Sequence, residues 1–208
     1  AAVHPDQVAD LRLLARVAPA LRPDLARRLL ASAGMHAAQD RPDIAWDMAH
    51  AALAMLRDLA AAAPELRPDL ARALHLVGAL AALDGDSDAA QERLDAACTL
   101  LRDLAAADPA LRPDLARAQI ASAVTTLFTA AEDAGDVALD ADADVDDIAL
   151  NEDALQRAES LFRAAKSLLR SVIDVDDPTQ RADLAQALGH LAGIAFLRRD
   201  RRRARALL

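Results

Sequence analysis

The heptapeptide Leu-Arg-Pro-Asp-Leu-Ala-Arg occurs three times, at residues 21–27, 66–72 and 111–117. The copies are 45 residues apart both times, and Pro19, Pro64 and Pro109 recur at the same interval. Residues 56–73 and 101–118 are identical at 16 of 18 positions, differing only at Ala63/Asp108 and Glu65/Ala110. A period of this fidelity makes the chain a row of similar units, each too small to bury its own apolar face.

A worn fourth copy, Arg181-Ala182-Asp183-Leu184-Ala185-Gln186, lies 69 residues after Arg112, which is 45 plus 24. The surplus coincides with an acidic stretch, Glu132 to Asp153, that holds ten acids and no base. That stretch reads as an insertion into the third repeat. The predicted array fills residues 1–208: repeat one over about 21–65, repeat two over about 66–110, repeat three over about 111–179 with an insertion at about 132–153, and a partial repeat four over about 180–208. Outside the insertion, 23 acids face 24 bases, so the net charge of −9 belongs to one segment. Ten carboxylates within 22 residues repel one another and predict a projecting loop.

Each repeat reads as two helices. Alanine supplies 55 of 208 residues and aromatics only 2%, which favours helix over strand and argues against an all-β or α/β fold. Pro23, Pro68 and Pro113 suit the first turn of a helix, and the aspartate that follows each suits its N-terminus. In repeat two, the first helix is predicted over about 68–83. Gly85 is its left-handed stop, Asp86 or Ser87 is the next cap, and the second helix runs to about Ala107, before Pro109. Apolar residues of the second helices are spaced 4, 3, 4, 3: Ala45, Ala49, Ala52, Leu56, Leu59; Ala90, Leu94, Ala97, Leu101, Leu104; Ala158, Phe162, Ala165, Leu169, Val172. Such a stripe faces another helix. Residues from about 6 to 18 read as the second helix of a preceding repeat and 200–208 as the start of another, giving about nine helices.

The pattern resembles the tetratricopeptide repeat family in its long, arginine- and alanine-rich bacterial form. The resemblance rests on a small residue in the first helix (Ala33, Gly78, Ala123), paired alanines in the second (Ala45/Ala52, Ala90/Ala97, Ala158/Ala165), a residue between them that is usually large (Ala49, Leu94, Phe162), and a closing proline (Pro64, Pro109, Pro178). Repeat four keeps Ala192 and Ala204. It implies an all-α solenoid of antiparallel helix pairs with a right-handed superhelical twist. The period departs from the family, at 45 residues where about 34 is usual, a difference of about three helical turns. HEAT and armadillo arrays, with periods of about 40–47 residues, are the alternative.

Motifs for chemistry are few. The five histidines have no metal-ligand spacing, the six serines lie in no nucleophile elbow and the six glycines form no phosphate loop. Cys98 has no base placed beside it and reads as a packing residue. Asp140, Asp142, Asp144, Asp146 and Asp147 alternate like a calcium loop. Val145 stands where its glycine belongs and Asn151 where its last glutamate belongs. The arginines from Arg198 to Arg205 form a basic cluster beside Phe196, read as the polar face of a helix rather than a nucleic-acid site. No apolar run reaches the ~18 residues of a membrane span. No cofactor, metal, nucleic acid or membrane is expected.

In the resembled family the first helices line a concave groove. By register this groove would carry Arg27, Arg72, Arg117 and Gln186 on its rim and Leu30, His75 and Ile120 on its floor, with Gly34, Ala79 and Val124 among them. An apolar floor and a basic rim suit a helix or apolar segment of a partner protein, or of the same parent chain. The expectation is a non-enzymatic scaffold or sensor region of a larger cytoplasmic bacterial protein, with array ends open to self-association. A nucleic-acid or small-ligand sensor is the alternative.

Overall fold

The computed structural model describes residues 18–138, 151–172, 177–198 and 200–207. Those residues form helices and connecting turns, with no strand among them. Among the described residues there are eight α-helices: α1 Arg22–Ala38, α2 Pro42–Ala62, α3 Arg67–Leu83, α4 Ser87–Ala107, α5 Arg112–Ala138, α6 Glu152–Val172, α7 Pro178–Leu197 and α8 Arg201–Leu207. The segment read as a helix at 6–18 and the calcium-like stretch at 140–147 lie outside the described residues.

A single 3₁₀ turn, Pro19–Leu21, Pro64–Leu66 or Pro109–Leu111, leads into α1, α3 and α5. The proline of each heptapeptide sits in the first helical turn, where its missing N–H costs nothing. Helix pairs turn back on one another through matched Schellman-type closures: the Arg41 N–H donates to the His36 carbonyl at 3.0 Å, and the Asp86 N–H to the Ala81 carbonyl at 3.0 Å. Residue 85 is glycine at φ 82°, and its counterpart one period earlier, Asp40, is held at φ 57°. Asp86 caps α4 by accepting from the Ala89 N–H at 3.0 Å.

The chain divides into two compact units, Ala1–Leu104 and Ala105–Leu208. In the first, α2 packs on both α1 and α3. In the second, α6 packs on α5 and α7, and α8 packs on α7. Every paired alanine of the second helices is fully buried: Ala45, Ala52, Ala90, Ala97, Ala158 and Ala165. The residue between them fills the space this leaves, and Phe162 lies at the centre of the second unit's core with Ala123, Leu169, Leu191 and Ile194. Small residues let helix axes approach, so dispersion contacts are gained along their length. Cys98 is buried among these packing residues.

The expected insertion needs one correction. Helix α5 continues as far as Ala138 and so takes in the first seven of its residues, 132–138. No glycine or proline falls between Val124 and Ala131, whereas α3 stops just before the left-handed Gly85.

Candidate functional site

The last arginine of each heptapeptide was placed on a groove rim. The structure pairs Arg27 and Arg117 with aspartates of neighbouring first helices. Arg27 Nε of α1 donates to Asp69 Oδ2 of α3 at 2.7 Å, and Arg72 Nη1 donates to Asp69 Oδ1 at 3.3 Å. The second unit repeats the arrangement: Arg117 Nε of α5 donates to Asp183 Oδ2 of α7 at 2.7 Å, and Arg117 Nη1 donates to Asp114 Oδ1 at 3.3 Å. Within each unit the arginine of one copy therefore binds the aspartate of the next, while an arginine of the aspartate's own helix or an aspartate of the arginine's own helix adds a second contact. The Asp69 hydrogen bond and charge hold Arg27 more firmly protonated than usual. These guanidiniums join neighbouring first helices while their side chains stay 48% exposed at Arg27 and 33% at Arg117.

The floor also differs from its sequence reading. Leu30 and His75 are half-buried, but Ile120 is only 4% exposed and belongs to the core with Ala116, Ala123 and Phe162. Ile120 is thus corrected from groove floor to core. The reason is angular: Ile120 projects on the same face as Ala116 and Ala123, which α6 covers. Each first helix carries its own accessible stripe. In α1 it comprises Ala31, Gly34 and Ala38; in α3, Leu76, Ala79 and Leu83; in α5, Ala121, Val124 and Phe128; in α7, His190, Gly193 and Leu197. Gln186 is exposed at the head of the α7 stripe. Leu83 is 77% exposed, Phe128 64% and Leu197 56%. All three stand at the same position of their repeats: Leu83 and Leu197 are the last residues of α3 and α7, and Phe128 lies ten residues before the end of the longer α5.

His190 of the α7 stripe stacks on Phe162, with ring centroids 4.8 Å apart and planes 13° apart. Its partial burial lowers the imidazole pKa.

Two members of the basic cluster are likewise taken up internally. Glu159 of α6 is buried and accepts from Arg163, from Arg198 at the end of α7, and from Arg203 of α8. Arg198 also donates to Glu152. Burial works against ionisation of Glu159, yet the hydrogen bonds from Arg198 and Arg203 and the nearby Arg163 charge outweigh it, and its pKa is lowered. Arg202 and Arg205 remain exposed.

Among the described residues, no three or more His, Cys, Asp or Glu side chains gather in a way that could hold a metal ion. No described helix is long and apolar enough to cross a membrane. No protein-family model matches the chain. No curated protein sequence matches it either. Among solved structures, the crystal structure of BtubC (BKLC) from P. vanneervenii is similar over 98% of this chain and 84% of that one, at 16% identity and a TM-score of 0.41.

Proposed function

We propose that the chain is a non-enzymatic protein-binding module of the tetratricopeptide type, a stacked array of helix pairs whose first helices receive an apolar helix of a partner protein. The observation that supports this reading is the exposed stripe on the first helices of each unit, which holds Leu83 in the first unit and Phe128 and Leu197 in the second. A first helix already buries one side against its neighbours, and its remaining side would ordinarily be polar. Here that side carries Leu76, Ala79 and Leu83 in α3 and Ala121, Val124 and Phe128 in α5. Small residues along the stripe leave room for a helix backbone to approach, and the large residue at its end is an anchor of the kind that dominates interface energetics. A cytoplasmic bacterial parent, with this array as its scaffold or sensor region, accords with the reading.

The test places a photo-crosslinking amino acid at Leu83, at Phe128 and, as a comparison, at the exposed Arg57 of α2, in cells. A partner captured from the first two positions is then purified. Its binding should weaken at least tenfold with Phe128→Asp and stay unchanged with Arg57→Asp. Capture from Arg57 with no effect of Phe128→Asp would move the working surface to the second helices.

A further inference from the structure

We propose that Glu159 is an electrostatic latch that holds α8 in place, and that α8 can be released without unfolding α5, α6 and α7. The argument begins with how little else fastens α8. Of its described side chains only Ala204 is buried; Arg203 and Leu207 are half-buried, and Arg202, Arg205 and Ala206 are exposed. A seven-residue helix has no stability of its own in water, because nucleation costs more than so few hydrogen bonds return. Asp200 gives it one local cap, accepting from the Arg203 N–H at 2.9 Å. The tertiary polar contact is Glu159, which takes Arg203 from α8 and Arg198 from the turn before it.

No residue of α8 is among the buried members of the core of α5, α6 and α7, which include Ile120, Ala123, Leu155, Phe162, Leu169 and Leu191; Leu207 of α8 packs against that core from outside and is only half-buried. The carboxylate is also specific to this repeat. The residue after the first paired alanine is Trp46 in repeat one and Gln91 in repeat two, and neither can neutralise two arginines. The groups around Glu159 are Glu152 and Arg163 of α6, Arg198 of the α7 end and Arg203 of α8. Without Glu159, three guanidiniums would face one another across the junction, offset among the described residues by Glu152 and Asp200, both exposed. Arg198 Nε, buried and without a hydrogen-bond partner among the described residues, would then have still less to hold its side chain there. Repulsion at that point acts on the weakest-held element, which is α8.

Amide hydrogen exchange on Glu159→Gln, made in the full chain, tests the latch. The expected result is a loss of protection of at least tenfold at Ala204 and Leu207, with amides of Phe162, Leu169 and Leu191 changed less than twofold. Trypsin should cut after Arg202, Arg203 and Arg205 at least tenfold faster. Arg203→Met removes only the α8 side of the contact and leaves Glu159 paired with Arg163 and Arg198, so it must give the same local loss. Glu152→Gln should change α8 protection less than threefold. Unchanged α8 protection in Glu159→Gln and Arg203→Met overturns the proposal, and so does a uniform loss across α6, α7 and α8 in both.

Discussion

A Cβ placed on Gly78 would lie 2.8 Å from Leu94 Cγ, so α3 and α4 meet at a spacing that only glycine at position 78 permits beside a leucine at 94. The carbonyl of Ala90 stands 3.2 Å from the same point. Gly78→Ala gains about 1 kcal/mol of helix propensity. Overpacking costs about 1–3 kcal/mol, and the rigid backbone carbonyl leaves little room to relax. The variant should therefore be net destabilised, by about 1–2 kcal/mol in urea unfolding. In a Leu94→Ala background the same change should become neutral or stabilising, as repeat one pairs Ala33 with Ala49. A double-mutant cycle with coupling below about 0.5 kcal/mol would contradict the contact.

Gln119 should yield a stabilised variant. Its side chain is buried and its Oε1 has no hydrogen-bond partner among the described residues. Repeats one and two place Leu29 and Leu74 there, both buried. An unsatisfied buried polar atom costs about 1–3 kcal/mol. Gln119→Leu is expected to raise the unfolding free energy by about 1–2 kcal/mol, seen as a higher melting temperature; a fall would mean that the amide is satisfied in solution.

Asp40 offers a second, smaller gain. At φ 57° it occupies the left-handed region, where its counterpart Gly85 sits without strain. The usual penalty for a side chain there is roughly 1 kcal/mol, less for aspartate. Asp40→Gly should stabilise by about 0.3–1 kcal/mol, whereas Gly85→Val should destabilise, both read from denaturant midpoints.

Acidification should weaken the second unit in two steps. The folded-state pKa of His190 is lowered by burial, so the unfolded chain binds its proton first. Stability is then complete above about pH 6.5, the unfolded value, and declines as pH falls from there toward the folded value. The pKa of Glu159 is lowered as well, against its burial, by Arg198, Arg203 and Arg163. Its contribution is complete above the unfolded value of about pH 4.3 and is lost as pH falls through the folded one. Melting temperature against pH should show both declines, and His190→Phe should remove the upper one while leaving the lower.

The ion pairs between first helices should prove modest in energy. Arg27 and Arg117 are part exposed, while Asp69 and Asp183 are largely covered. Such pairs contribute about 0.5–1 kcal/mol, less at high salt. Arg117→Met should lower stability by that amount in 50 mM salt and by roughly half of it in 1 M salt. An undiminished effect at 1 M would mark a packing role for the arginine stem instead.

Periodicity made the helices legible. The bounds of α3 and α4 fall within one residue of their expected places, because proline starts and glycine or proline stops act locally. The six paired alanines are buried as their spacing required. Ile120 was misplaced because position within a repeat does not distinguish a groove-facing angle from one about 40° away that a neighbouring helix covers. The pairing of Arg27 and Arg117 was not legible, because a charge near a helix start looks the same whether it meets solvent or the next aspartate 42 or 66 residues along. Glu159 gave no signal at all, since its partners Arg198 and Arg203 lie 39 and 44 residues away.

The heptapeptide holds both halves of its own fastening: Arg27 reaches Asp69, and Arg117 reaches Asp183. A unit that both offers a cation forward and presents an anion backward is like a brick with tongue and groove. Because each copy carries both an arginine and an aspartate at these positions, a duplicated copy brings the means of such a pairing with it, and such a chain can lengthen over evolutionary time in steps of 45 residues. The near-identity of residues 56–73 and 101–118 is the trace such copying leaves. Gln186, standing where the other copies have arginine, accepts a place in the row without passing a charge on.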